Sequence, residues 1–221
     1  MDDLELVIFD LGGTTVEDSG QVSDAFTSAL AEHGFQITPE DLIRARGSSK
    51  REAVLRFIPE GPERSRRAEL VYASLQEHLS RSYKEDGVQP VIGAEETFQW
   101  FRDHSVRTAF NTGFDRNIAT LVLAALGWAD GIVDAVICGD DVPVGRPAPF
   151  LIFHAMEATG TASIHRVATI GDTVLDLQAG FNAGVRWIVG VTSGAHSQQI
   201  LAAAPHTHLL STVAELPDLW Q

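Results

Sequence analysis

A strand that arrives alone constrains this chain most. Residues 5–10, ELVIFD, make a short apolar run rich in β-branched and aromatic side chains. That is the pattern of a strand buried on both faces. Two adjacent glycines in Leu11-Gly12-Gly13-Thr14-Thr15 then break it into a loop. Between Thr15 and Gly87 no further strand signal occurs. Val22, Phe26, Ala29, Leu30 and His33 share one helical face, and Gly34 supplies a stop. Pro39 opens a second helical stretch. A third is expected over 50–57, with a serine available as N-cap, and a charged helix over 63–83.

From Val88 the texture changes. Helices are expected at 94–104, 117–126, 149–159 and 176–183. Strands are expected at 107–111, 133–138, 166–170, 186–191 and 208–210, before a short terminal helix. Repeated alternation of this kind predicts an α/β fold, a doubly wound parallel sheet covered on both faces. The first strand can find neighbours only after residue 88. The expected organisation is therefore a Rossmann-like core domain from residues 1–16 and 88–221, interrupted by an all-helical domain at 17–87.

Composition narrows the function. A formal net charge of −14 argues against nucleic acid as a partner, because backbone phosphates need basic patches. It equally disfavours an anionic membrane surface. The single cysteine, Cys138, excludes an internal disulfide and a Cys-rich zinc site, and its place in a core strand suggests packing. No apolar run approaches the roughly 18 residues of a membrane span. The N-terminus is acidic and runs at once into the first strand, unlike a signal peptide, so a cytoplasmic location is expected. His206-x-His208 has the spacing to put two imidazoles on one strand face, but no third ligand accompanies them.

In open parallel sheets, ligands bind beyond the carboxyl ends of the strands. Asp10 ends the first strand. Thr112-Gly113 ends the strand at 107–111. Gly171-Asp172-Thr173 ends the strand at 166–170, with Asp176 close behind, and Gly145-Arg146-Pro147 opens the helix after Cys138. Neighbouring carboxylates repel unless a cation sits between them, and oxygen ligands suit Mg²⁺. Arg146 and the Thr112 hydroxyl suit a phosphoryl group. Asp172 also fits a helix N-cap. The chemistry these residues suggest is Mg²⁺-assisted phosphoryl transfer to an aspartate nucleophile.

VIFDLGGTT, NTG, GRPAP and GDTVLD, in that order and at those places, resemble the haloacid dehalogenase superfamily. The resemblance covers the whole core. It implies a nucleophile at Asp10, which would form an aspartyl-phosphate. It implies Mg²⁺ ligation by Asp10, the Gly12 carbonyl and Asp172. Gly12, Thr112, Gly113 and Arg146 are the implied phosphate-binding residues, and Arg146 stands where the family usually has lysine. Asp176 is implied to hold Arg146 or a metal-bound water. The helical block is implied to be a mobile cap.

Most phosphatases of that superfamily carry an acid/base aspartate two residues after the nucleophile. Here that position is Gly12. The phosphonatase branch also has a small residue there, together with GRPAP and a cap Gly-x-x-Lys, which this chain matches as Gly47-Ser48-Ser49-Lys50. In that branch the cap lysine forms an imine with an aldehyde substrate, and the imine accepts electrons from the breaking carbon–phosphorus bond. Lys50 is one of only two lysines among 16 basic residues. Where only charge mattered, this chain's own usage favours arginine, which cannot form an imine. The residue before the cap glycine, Arg46, and Ala53 depart from the branch, which usually has methionine and histidine there. Three alternatives therefore stay open: a phosphate-ester phosphatase of the phosphoglycolate type, a metal-independent dehalogenase, and a catalytically weak phosphometabolite-binding relative. The resemblance also admits a homodimer. The expected partner is a small phosphorylated or phosphonylated metabolite.

Overall fold

A computed structural model describes residues 3–220 of the chain. Its core is one six-stranded parallel sheet in the order β3-β2-β1-β4-β5-β6. The strands are β1 (Leu6–Phe9), β2 (Arg107–Asn111), β3 (Ala135–Ile137), β4 (Val167–Gly171), β5 (Trp187–Val191) and β6 (His208–Leu210). The lone first strand lies at the centre. Phe9 of β1 is in register with Phe110 of β2 on one side and Ile170 of β4 on the other. The chain builds outward from β1 to β2 and β3, then returns across β1 to lay down β4, β5 and β6. The sheet's switch point is therefore the carboxyl end of β1, where a crevice opens between diverging connections.

All four residues of β1 are buried, and they divide between two layers. Val7 and Phe9 face a cluster with Phe98 and Phe101 of α5 (Ala94–Asp103). Leu6 and Ile8 face Leu151, Ile152 and Ala155 of α7 (Phe150–Thr159) and Leu177 of α8 (Val174–Ala183). This is the two-residue period of a strand covered on both sides. Phe98 sits edge-on to Phe9, Phe110 and Trp128, with centroids 5.2, 5.5 and 5.4 Å away. α6 (Arg116–Ala125) adds Ile118, Ala119, Val122 and Leu123 to the same cluster, and a short helix, α9 (Gln198–Leu201), follows β5. The chain's last element is a 3-10 helix, Val213–Leu219, with Pro217 inside it.

Between β1 and α5 the described residues hold four helices: α1 (Gln21–Glu32), α2 (Pro39–Ala45), α3 (Lys50–Phe57) and α4 (Arg64–Glu85). α4 buries Ala68, Val71, Tyr72, Leu75, Leu79 and Tyr83, a stripe at three- and four-residue spacing. It packs on Ala25, Phe26, Ala29 and Leu30 of α1 and on α3. Two chain segments join this block to the sheet, and they are tied together. The Glu17 N–H donates to the Gln89 carbonyl and the Val91 N–H to the Thr15 carbonyl, each at 2.9 Å. Among the described residues no helix is long and apolar enough to cross a membrane.

Several local expectations are corrected. The strand expected at 133–138 is reduced to Ala135–Ile137. At the amino end the Asp134 N–H still pairs with the Thr108 carbonyl while its carboxylate takes the Thr108 N–H, each at 2.8 Å, and at the other end Asp141 takes the Cys138 N–H at 2.7 Å. Cys138 therefore lies just beyond β3, fully buried, and burial pushes its thiol up to about 12. The N-cap of α8 is Thr173 rather than Asp172, in a capping box with Asp176. Ser49 is the N-cap of α3, yet its hydroxyl makes no capping bond. His206 precedes β6 and bonds through Nδ1 to the Ala204 carbonyl, so the two histidines do not share a strand face.

The aromatic cluster joins β1, β2 and α5, so Phe98→Ala should destabilise the protein by about 3–5 kcal/mol in urea unfolding. A loss below about 1 kcal/mol would mean that the cluster does not hold the central strand.

Candidate active site

The loops after β1, β2 and β4 meet at the switch point, and the acidic residues come with them. Asp10 follows β1 directly, and its N–H donates to the Ile170 carbonyl of β4 at 2.9 Å. Thr112 follows β2 and Asp172 follows β4. Asp10, Asp172 and Asp176 are all buried, and each has a carboxylate oxygen within 4.8 Å of the others. Arg146 reaches between them from the loop before α7 and is itself almost wholly buried. Its Nη2 donates to Asp10 Oδ1 at 2.6 Å, and its Nη1 pairs with Asp176 Oδ1. The other Asp176 oxygen accepts from the Thr173 N–H at 3.0 Å and from the Thr173 hydroxyl. Asp176 is thus fully occupied in orienting Arg146 and starting α8. The guanidinium fork spans two carboxylates, which a lysine ammonium could not do in the same geometry.

Asp172 is held differently. The Ala195 N–H donates to its Oδ2 at 2.6 Å and the Thr14 hydroxyl to its Oδ1 at 3.3 Å. Burial first, and then the Asp10 charge, raise its pKa above the usual carboxylate range. Two buried carboxylates side by side favour a cation between them, and hard oxygen donors suit Mg²⁺. Gly13 makes this closeness possible. Its φ is +83°, and a Cβ there would run into the Asp172 carboxylate.

Lys50 comes from the helical block. It is the first residue of α3, and its N–H donates to the Gly113 carbonyl at 3.1 Å. Its ammonium lies 5.1 Å from the centre of the Phe114 ring. Burial lowers the pKa of the amine to about 8, against the opposing pull of the Asp10 charge and with help from Arg146. The amine remains reachable through the cleft that Asp10, Gly12, Thr112, Gly113, Arg146 and Asp172 also line. That cleft encloses about 70 Å³. About 10–15 Å³ suffices for one ordered water, so the space suits a small molecule. Beyond Gly12 the cleft is open: a Cβ there would have only Phe114 within reach, at 4.0 Å. Other carboxylates on the cleft wall are Glu17 and Asp18, and Asp18 is paired with Arg46.

All eight candidate residues from the sequence therefore converge here. The structure adds others. Thr14 and Ala195 hold Asp172, and Phe114 lies under Lys50. Arg46, which also lines the cleft, is paired with Asp18 at 2.7 Å. Arg46 precedes the cap Gly-x-x-Lys, but Asp18 carries no motif, so only folding reveals their meeting. The loop after β5 had a signal, since Thr192-Ser193-Gly194 also stands at a strand's carboxyl end.

The central strand of the parallel sheet thus ends in a buried aspartate, paired by arginine with a second. A model of the haloacid dehalogenase-like hydrolase family matches residues 4–184, and the chain belongs to that family. It is 28% identical to the phosphonoacetaldehyde hydrolase of Parabacteroides distasonis, over 96% of this chain and 93% of that one. In structure it is similar to a phosphonoacetaldehyde hydrolase-like protein from Oleispira antarctica. That pair has a TM-score of 0.85 and 19% identity, covering 98% and 91% of the two chains. It is also similar to a predicted phosphoglycolate phosphatase from Haemophilus somnus, with a TM-score of 0.81 and 19% identity over the whole of both chains. At these identities the solved structures establish the fold alone.

Removing Arg146 would leave the buried Asp10 and Asp176 uncompensated. Arg146→Ala, in EDTA, should lose about 3–5 kcal/mol of stability in urea unfolding. Arg146→Lys should recover only part of this, because one ammonium cannot serve both carboxylates. If both variants match the wild type, the pairing carries no structural weight.

Proposed function

We propose that this enzyme cleaves the carbon–phosphorus bond of a small phosphonylated aldehyde of the phosphonoacetaldehyde kind, through an aspartyl-phosphate on Asp10 and with Mg²⁺ as cofactor. The observation that carries this reading is the Lys50 amine. It stands in the cleft beside Asp10 and Arg146, with a pKa lowered to about 8, where the acid/base aspartate of a phosphatase is missing. An amine of that pKa has a substantial neutral fraction near neutrality and is a competent nucleophile towards a carbonyl. The phosphonoacetaldehyde hydrolase named above supports the same substrate class.

Lys50 adds to the aldehyde carbon and loses water to form an imine. Asp10 attacks phosphorus as the carbon–phosphorus bond breaks, and the bonding pair moves into the protonated imine, giving an enamine. The enamine takes a proton on carbon, and water then releases the aldehyde and restores Lys50. A second water hydrolyses the aspartyl-phosphate to phosphate and free Asp10. Arg146, the Thr112 hydroxyl and Gly113 hold the phosphoryl oxygens. Asp10, Asp172 and the Gly12 carbonyl would hold Mg²⁺, and Asp176 would keep Arg146 in place. Bound there, Mg²⁺ supplies charge neutralisation at the phosphoryl group. The helical block at 17–87 serves as the cap that shuts water out.

Phosphate release from phosphonoacetaldehyde should require Mg²⁺, stop with EDTA, and fall by at least about 10³-fold in Lys50→Arg. The arginine keeps the charge and loses the imine. Imine formation needs the neutral amine, so the rate of Lys50 condensation should rise with pH and level off above about 8. Hydrolysis of phosphoglycolate that survives Lys50→Arg, with no phosphonate turnover, would instead make this a phosphate-ester phosphatase.

A further inference from the structure

The start of α3 carries a sequence signal that the fold does not use in the usual way. Ser49-Lys50-Arg51-Glu52 is the S-x-x-E pattern of a capping box. In such a box the serine hydroxyl takes the N–H of the glutamate, and the glutamate turns back to the serine N–H. Neither bond is made here. Ser49 is the N-cap but makes no side-chain capping bond. Glu52 turns away from its own helix and accepts the Gly145 N–H at Oε1, 2.9 Å away. The Lys50 N–H, one of the helix's unpaired donors, goes to the Gly113 carbonyl at 3.1 Å. The N-terminus of α3 is therefore capped by the core, through the two loops that carry the site. Gly113 adjoins Thr112, and Gly145 adjoins Arg146.

The approach is close at both points. A Cβ on Gly113 would strike the Ser48 carbonyl, and one on Gly145 would stand 3.2 Å from Ser49 Cβ and 3.4 Å from Glu52 Oε2. Glu52 is two residues past Lys50, within the same helical turn, so whatever fixes Glu52 against Gly145 also fixes where the Lys50 stem begins.

We propose that Glu52 is a positioning residue. Its bond to the Gly145 N–H registers α3 on the Arg146 loop and so places the Lys50 amine over Asp10 when the helical block is shut. When the block lifts, Ser49 and Glu52 fall back on each other as a local capping box. Opening and closing then exchange one set of capping bonds for another of similar kind, and neither state leaves the helix end bare. This rests on the reading of Lys50 as a group that meets substrate.

The test compares Glu52→Ala with Glu52→Gln, whose amide oxygen can still accept from Gly145. Two readouts are taken on the full-length enzyme. The first is residue-resolved amide exchange at Lys50, whose own bond to Gly113 neither substitution touches. The expected result is exchange at least about tenfold faster in Glu52→Ala and close to wild type in Glu52→Gln. The second is phosphonoacetaldehyde kinetics. Misplacing a reacting group by about 1 Å costs about 10²-fold. Glu52→Ala should therefore lose about 10–100-fold in kcat with little change in KM, and Glu52→Gln should stay within about threefold. Unchanged Lys50 exchange in Glu52→Ala would overturn the proposal. So would equal loss in both variants accompanied by lowered melting temperatures, which would make Glu52 structural only. Absence of phosphonate turnover in the wild type would remove the aldehyde reading, and the exchange comparison would still decide the role of Glu52.

Discussion

Everything at this site depends on one charge arrangement. Three carboxylates are buried together, and one buried guanidinium, Arg146, spans two of them. Charges removed from water are tolerated only when paired with good geometry, and losing one partner exposes the full desolvation cost of the other. The members come from residues 10, 146, 172 and 176, so no local segment can assemble them. Only the finished sheet does. β1 must lie between β2 and β4 before Asp10 and Asp172 can approach, and α8 must start at Thr173 before Asp176 can face Arg146. The parallel sheet is therefore what brings these charges together. A third carboxylate, Asp172, has two hydrogen-bond donors and no cationic side chain bonded to it, and this imbalance is what favours a divalent ion.

The helical block adds what the sheet lacks. The sheet's own loops offer acids, a hydroxyl and an arginine, but no group to receive electrons from a poor leaving atom. Gly12 provides none. Lys50 brings an amine from the helical block, and burial in the cleft lowers its pKa. The Phe114 ring and the nearby protein atoms take water away, while the Asp10 charge restrains the shift. An open cleft would return the amine to water and to its ordinary charge. On the proposed reading, closure and activation of the amine would be one event, acting through the contacts at the N-terminus of α3.

Much of this was legible in the sequence, for identifiable reasons. β2 and β6 have the expected bounds. The placement of the site followed from the rule that strand ends carry ligands. The misjudged details are those decided by competition between side chain and backbone. Asp141 takes the Cys138 N–H on its side chain, and β3 stops at Ile137. Thr173 wins the N-cap over Asp172 because Asp176 completes its box. Glu52 was one unremarked residue of the helix expected over 50–57, since its partner lies 93 positions away in the chain. The Asp18–Arg46 pair was hidden for the same reason, and no spacing rule reaches across such distances.

The most direct test of the account is to trap the covalent step. The enzyme would be incubated with phosphonoacetaldehyde and Mg²⁺, reduced with borohydride, digested and read by mass spectrometry. The account predicts a stable reduced adduct on the peptide containing Lys50, absent from Lys50→Arg and absent when the aldehyde is omitted. Phosphate released at full rate with Lys50 unmodified would contradict it.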